Sequence, residues 1–238
     1  LQHTPEDASF DWPKKLRAAG IRVLALAYQR KGRFGSGWAN AELPLTLHGI
    51  DILNGMKDER LILDVSHAGH ATAREALLYA KTFAIPVMAS HGGCYRAFPH
   101  MRNLPDDVLR SVAELGGIVG IFTITFCLNA ENNTLLPFVL HLRHAIGVCG
   151  ESSVCVGGDG PYVAPITEAT IHAEYDRLSG KLSSNVYNAS FPDHPLECFA
   201  PNRMQVVETA TETYGIQPGA IPGVLGKNLR LFFERALA

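Results

Sequence analysis

The chain has 238 residues, 47% hydrophobic and 18% charged, and its 21 Lys and Arg stand against 23 Asp and Glu for a formal net charge of -2. Basic residues are scattered rather than gathered into a stripe, which excludes the electrostatic footprint of a nucleic-acid or anionic-membrane partner, and no apolar run reaches the ~18 residues of a membrane span. The length is close to the ~250 residues of a single (β/α)8 barrel and allows one large core.

Short β-branched runs alternate with segments of helical spacing, the signature of parallel βα units, so the fold class is α/β. A helix-like stretch from Trp12 to Ala19, closed by Gly20, leads into a first strand from Ile21 to Tyr28. After the Gly-rich loop KGRFGSGW, the segment from Thr46 to Asp58 reads as a helix with Thr46 as N-cap and Leu47, Ile50, Leu53 and Asn54 on one side. Leu61 to Val65 is a second strand ending in Ser66-His67, Ala71 to Phe83 a helix, and Pro86 to Ala89 a third strand ending in Ser90-His91. Pro105 and Asp106 open a helix whose apolar face is Val108, Leu109, Val112 and Leu115, and Gly116-Gly117 ends it. A fourth strand (Ile118 to Thr125), an amphipathic helix (Leu135 to Ile146) and a fifth strand (Val154 to Gly158, ending at Asp159) follow. From Pro161 to Pro201 the pattern gives way to a Ser-, Asn- and Pro-rich excursion with one short helix near Thr167 to Ser179. Helices return at Arg203 to Tyr214 and Asn228 to Leu237. With no repeat and no linker, the expectation is a single domain over residues 1–238 with an irregular excursion at about 161–201.

The opening residues, Leu1 to Trp12, are polar and acidic rather than basic and then apolar, which favours a cytoplasmic location, while a start at Leu rather than Met points to a missing beginning. The five cysteines (Cys94, Cys127, Cys149, Cys155 and Cys198) are odd in number and form no CxxC pair, which argues against a disulfide framework or a thiolate zinc site. Cys127 and Cys155, inside apolar runs, read as small buried hydrophobes.

Position singles out three polar residues. His67, His91 and Asp159 each follow an apolar strand, in LILDVSH, PVMASH and VCVGGD, and in a parallel barrel those strand ends share the face where active sites are built. One histidine after a strand is more often a loop residue than a ligand, but three such placements in one βα series favour a site. Two imidazoles and a carboxylate suit a zinc ion and a proton-transfer group. His141 and His144, three apart on a helix with no carboxylate beside them, read as surface residues. Arg102, eleven residues after His91, is either a fork for a substrate carboxylate or a salt-bridge partner of Asp106 or Asp107.

At this point GIRVLAL, LTLHGIDILNGM, LILDVSH, PVMASH, RNLPDDVLRSVAELGGIVGI, VGGD and LGKNLRLFF, in that order, resemble the membrane (renal) dipeptidases, zinc hydrolases of the amidohydrolase superfamily. The resemblance covers nearly the whole chain apart from Ala164 to Glu197. It implies a (β/α)8 TIM barrel of the metal-dependent hydrolase type that cleaves dipeptides at a binuclear zinc centre with a bridging hydroxide as nucleophile. By this likeness His67 and His91 are ligands of one zinc, Arg102 clamps the substrate's C-terminal carboxylate, and Asp159 is the acid/base.

The likeness also has departures. The family carries an HxD pair on its first strand and a later glutamate that bridges both ions. No HxD pair precedes His67 here, and the glutamate's place falls at or just before Leu1. Where the family has a histidine thought to bind the scissile carbonyl, this chain has Tyr28, whose hydroxyl could still donate to an oxyanion. Only the strands from Ile21 onward are recognised, so the barrel lacks its N-terminal strands, and its open edges require a longer chain, a homodimer or the segment from Ala164 to Glu197 to close them. Three readings follow. The first is a zinc dipeptidase acting on small substrates with a free carboxylate, with two zinc ions in the family and the count for this chain, down to one or none, left open by the departures. The second is an inactive barrel that binds a peptide-like ligand or partner. The third is a single-metal amidohydrolase for another amide or a lactone.

Overall fold

The apolar runs pair side by side into one parallel sheet. The structure, a computed structural model, describes residues 2–3, 9, 11–129, 136–159, 208–209 and 211–238. Within them the strands run in strictly sequential order: β1 (Gln2–His3), β2 (Val23–Ala25), β3 (Ile62–Asp64), β4 (Val87–Gly92), β5 (Ile118–Ile121) and β6 (Val154–Val156). A doubly wound sheet reverses its order at a switch point, whereas sequential parallel neighbours make an arc of a (β/α) barrel. The helices are α1 (Trp12–Ala18), α2 (Leu47–Asp58), α3 (His70–Phe83), α4 (Asp106–Glu114), α5 (Thr125–Leu128), α6 (Leu136–Cys149) and α7 (Asn228–Ala236).

Strand alternation divides the interior in two. Leu24, Leu63, Val87, Ala89, Val119, Ile121 and Val154 point outward and form the main core with Leu53, Leu77, Leu109 and Leu142 of the helices. Val23, Ile62, Met88, Ile118 and Cys155 point into the arc, where Phe232 of α7 closes a second cluster with Leu229, Phe233 and Ala236 against it. These inward residues lie at the starts of their strands, so α7 floors the arc and leaves the opposite end for polar chemistry.

Local signals explain the element boundaries. The Thr46 hydroxyl accepts from the Gly49 N–H at 3.0 Å, capping α2. Pro105 precedes α4, and Asp106 and Asp107 lie in its first turn, where carboxylates complement the helix dipole. Gly116, at φ 72°, ends that segment in a conformation that favours glycine.

Several expectations are revised. The buried face of α2 is Gly49, Ile52, Leu53 and Met56, and Leu47 is 79% exposed, because the helix rolls its Ile52 side toward the sheet. The fourth strand ends at Ile121, and α5 begins at Thr125. A strand also precedes the first expected one: Gln2 and His3 pair in parallel with Leu24 and Ala25. Two polar residues carry no hydrophobic alternation, so only the pairing reveals this strand. The excursion at about 161–201, its helix near Thr167 to Ser179, the first part of the helix expected from Arg203, and Cys198 lie outside the described residues. Among the described residues no helix is long and apolar enough to cross a membrane.

Candidate active site

The ends of β3, β4 and β6 bring His67, His91 and Asp159 together. His67 and His91 are both buried, and their Nε2 atoms approach to 2.8 Å. The rings meet edge-on, with centroids 4.8 Å apart and planes inclined by 63°. An irregularity in β4 makes this possible: Ala89 pairs with Val119 but Gly92 with Ile121, so Ser90 and His91 form a bulge. In a regular strand consecutive side chains point to opposite faces, whereas a bulge re-aims one of them. Space for it comes from Gly120 and Gly157, where a Cβ would come within 2.1 Å of the Ser90 carbonyl oxygen.

Asp159 follows β6 at φ 49°, a left-handed conformation that aspartate tolerates better than most residues. Its Oδ1 stands 3.6 Å from His91 Nε2, beyond hydrogen-bond reach but close enough for attraction when the ring is protonated. Tyr28 is 57% exposed and stacks on His67 with centroids 4.4 Å apart, forming the solvent side of the cluster.

Arg102 is buried. It donates to the carbonyl of Ser66 and, at 3.1 Å, to that of His91, and it lies 5.3 Å over the Phe122 ring. Burial pulls its guanidinium below its ordinary pKa, and the fields of Cys127, Asp159 and Asp64 oppose that shift. The alternative partners are taken: Arg74 holds Asp107 at 2.6 Å, and His144 holds Asp106 at 2.7 Å. Among the described residues the ion pairs do not include Arg102.

The expectation that His141 and His144 are surface residues is corrected. His141 is buried, accepting the Cys94 N–H on Nδ1 at 2.9 Å and donating from Nε2 to the Leu128 carbonyl at 3.0 Å. The partner of His144 is on a neighbouring helix, 38 residues away, and proximity in sequence gives no sign of it. Sequence reasoning also passed over Asp64, Ser66 and Ser90. Asp64 Oδ1 accepts from the Ser66 N–H at 3.0 Å, the Ser66 hydroxyl at 2.6 Å and the Ser90 N–H at 3.0 Å. Asp64 Oδ2 accepts from the Ser90 hydroxyl at 2.5 Å. Polar residues at alternate positions of LILDVSH, inside an otherwise apolar strand, were the available signal.

Imidazole nitrogens are zinc ligands by chemistry, and tetrahedral zinc at about 2.0–2.1 Å from each would hold the two about 3.3 Å apart, so the 2.8 Å contact, a hydrogen-bond distance, would open by about 0.5 Å around an ion. Among the described residues no group of three or more His, Cys, Asp or Glu side chains is gathered to hold an ion.

Comparison with known proteins gives concordant results. Residues 7–189 match the family model of the membrane dipeptidases, peptidase family M19. The chain is 28% identical over 184 residues to an uncharacterized protein in the pqqA 5' region of Klebsiella pneumoniae, covering 72% of this chain and 66% of that one. It superposes on an amidohydrolase from Pseudomonas aeruginosa with a TM-score of 0.76 at 18% identity, over 99% of this chain and 71% of that one. A metallo peptidase from Rhodobacter sphaeroides, liganded with a phosphinate mimic of the dipeptide L-Ala-D-Ala, superposes with a TM-score of 0.73 at 20% identity, over 99% of this chain and 63% of that one. At these identities the likeness to the solved structures is one of fold alone.

Proposed function

The chain belongs to the membrane dipeptidase family, peptidase family M19, and from that premise we propose that it hydrolyses the peptide bond of dipeptides, or similar small substrates with a free carboxylate, at a zinc site to which His67 and His91 contribute. The family and the structural neighbours point to metal-dependent hydrolysis. The observation that carries the finer reading is the 2.8 Å approach of the two Nε2 atoms at the barrel's functional end, with Arg102 buried behind them.

Zinc bound there would acidify a water and polarise the scissile carbonyl. The chain's own residues do the rest. Asp159, 3.6 Å from His91 Nε2, takes the proton of the water that adds to the carbonyl carbon and returns it to the amine as the C–N bond breaks. Tyr28, stacked on His67, offers its hydroxyl to the developing oxyanion. Arg102 is a buried cation without an ion-paired carboxylate among the described residues, and a substrate carboxylate would supply that anion.

Steady-state kinetics on unblocked and C-terminally amidated dipeptides test this reading. Unblocked substrates should turn over with zinc and not after chelation, and Arg102→Ala should raise KM for them at least tenfold while sparing the amidated ones. Turnover that survives chelation, or an equal effect of the variant on both substrates, would count against it. A second reading, a barrel that binds peptide-like ligands without turnover, is favoured by Tyr28 standing where the family resemblance has a histidine. Saturable dipeptide binding without hydrolysis would select it.

A further inference from the structure

Ser90 touches three groups at once, and its hydroxyl has a single proton. That proton goes to Asp64 Oδ2 at 2.5 Å, because a carboxylate oxygen accepts. Ser66 Oγ lies 3.0 Å from Ser90 Oγ, a contact in which either hydroxyl could donate, but its proton goes to the closer, charged Asp64 Oδ1 at 2.6 Å, and its oxygen accepts the His91 N–H at 3.0 Å. Toward His91 Nδ1, 2.7 Å away, Ser90 Oγ is therefore left with only its lone pairs. Nδ1 must carry the ring proton, and Nε2 faces His67 with its lone pair exposed.

We infer that Asp64 and Ser90 form a relay that holds His91 as its Nδ1–H tautomer and so presents Nε2 ready for a metal ion. Both are positioning residues, since neither contacts the cluster centre. The bulge in β4 supplies the geometry: it lets Ser90 and His91, adjacent in sequence, face the same interior. With His91 Nε2 as the acceptor, the donor across the 2.8 Å contact is the Nε2–H of His67.

The tautomer inference is independent of the proposed function, while its consequence for metal affinity rests on that reading. The experiment is two-bond 1H–15N correlation NMR of the chelator-treated, 15N-histidine-labelled chain, with zinc titration of the same samples. Wild type should show His91 protonated at Nδ1. Ser90→Ala should lose that pattern and weaken zinc binding by roughly ten- to a hundredfold, as removal of an outer partner of a metal-ligating histidine does. Ser90→Thr keeps the hydroxyl and should keep both properties. Asp64→Asn gives a sharper result. Its amide oxygen takes the three donors now on Oδ1, its NH2 donates to Ser90, and the serine proton turns to His91 Nδ1, flipping the ring to Nε2–H. A wild-type His91 protonated at Nε2, or a Ser90→Ala chain with an unchanged tautomer, overturns the inference. If wild type binds no zinc, the proposed function fails and the tautomer spectrum alone decides the relay.

Discussion

Single side chains at the barrel's polar end are set by partners far away in sequence. His141 shows the energetic side of this. Burial lowers its pKa from the ordinary 6.5 to about 4, and both ring nitrogens are engaged. Above pH 6.5 the ring is neutral in folded and unfolded chains alike. Below it, the unfolded chain takes up a proton that the folded ring refuses, so stability falls as pH drops from 6.5 toward about 4. His70 and His100, also lowered chiefly by burial, act in the same direction. Urea unfolding of wild type and His141→Gln between pH 7 and 4 should show a shallower pH dependence in the variant. Parallel curves would remove His141 from this account. At this scale, His67, His91 and Asp159 are legible because a strand end is readable from hydrophobic patterning alone. Asp64, Ser90 and the burial of Arg102 are not, because each depends on contacts 11 to 36 residues apart.

At the scale of elements, caps and breakers were readable and faces less so. Thr46 caps α2 as its sequence indicates, while the buried face of that helix is turned away from Leu47. Patterning finds a helix's period but not which of two similar stripes meets the sheet, a choice made by packing. Thr46 also donates to the Arg33 carbonyl at 2.6 Å, tying the cap to the Gly-rich loop. Thr46→Ala should therefore cost about 1–2 kcal/mol in chemical denaturation. An unchanged midpoint would mean that the helix is held by its core contacts alone. The bulge in β4 is an element-scale feature with a residue-scale result, since without it Ser90 and His91 could not share a face. Its signature, one residue more than the neighbouring strand, is invisible until the two strands are paired.

Across the whole molecule, parallel βα alternation fixes the class, and the sequential sheet order identifies the barrel arc. The floor made by α7 could not be foreseen, because Phe232 joins the cluster of Val23, Ile62, Met88, Ile118 and Cys155 from the far end of the chain. Phe232→Ala removes the largest buried side chain of that cluster and should destabilise the fold by about 3–4 kcal/mol. Thermal unfolding measures it, and a loss under 1 kcal/mol would show that α7 packs only loosely on the arc. The chain spans 66% of its curated relative's length, and the described residues bring two histidines, not a full ligand set, to the site.

The most direct test of the central claim is therefore zinc per chain, by elemental analysis of the purified protein alongside a folded His91→Ala variant. The account predicts zinc bound to wild type and lost from the variant with the circular dichroism spectrum intact. Equal zinc in both, or none in wild type under saturating zinc, would contradict it.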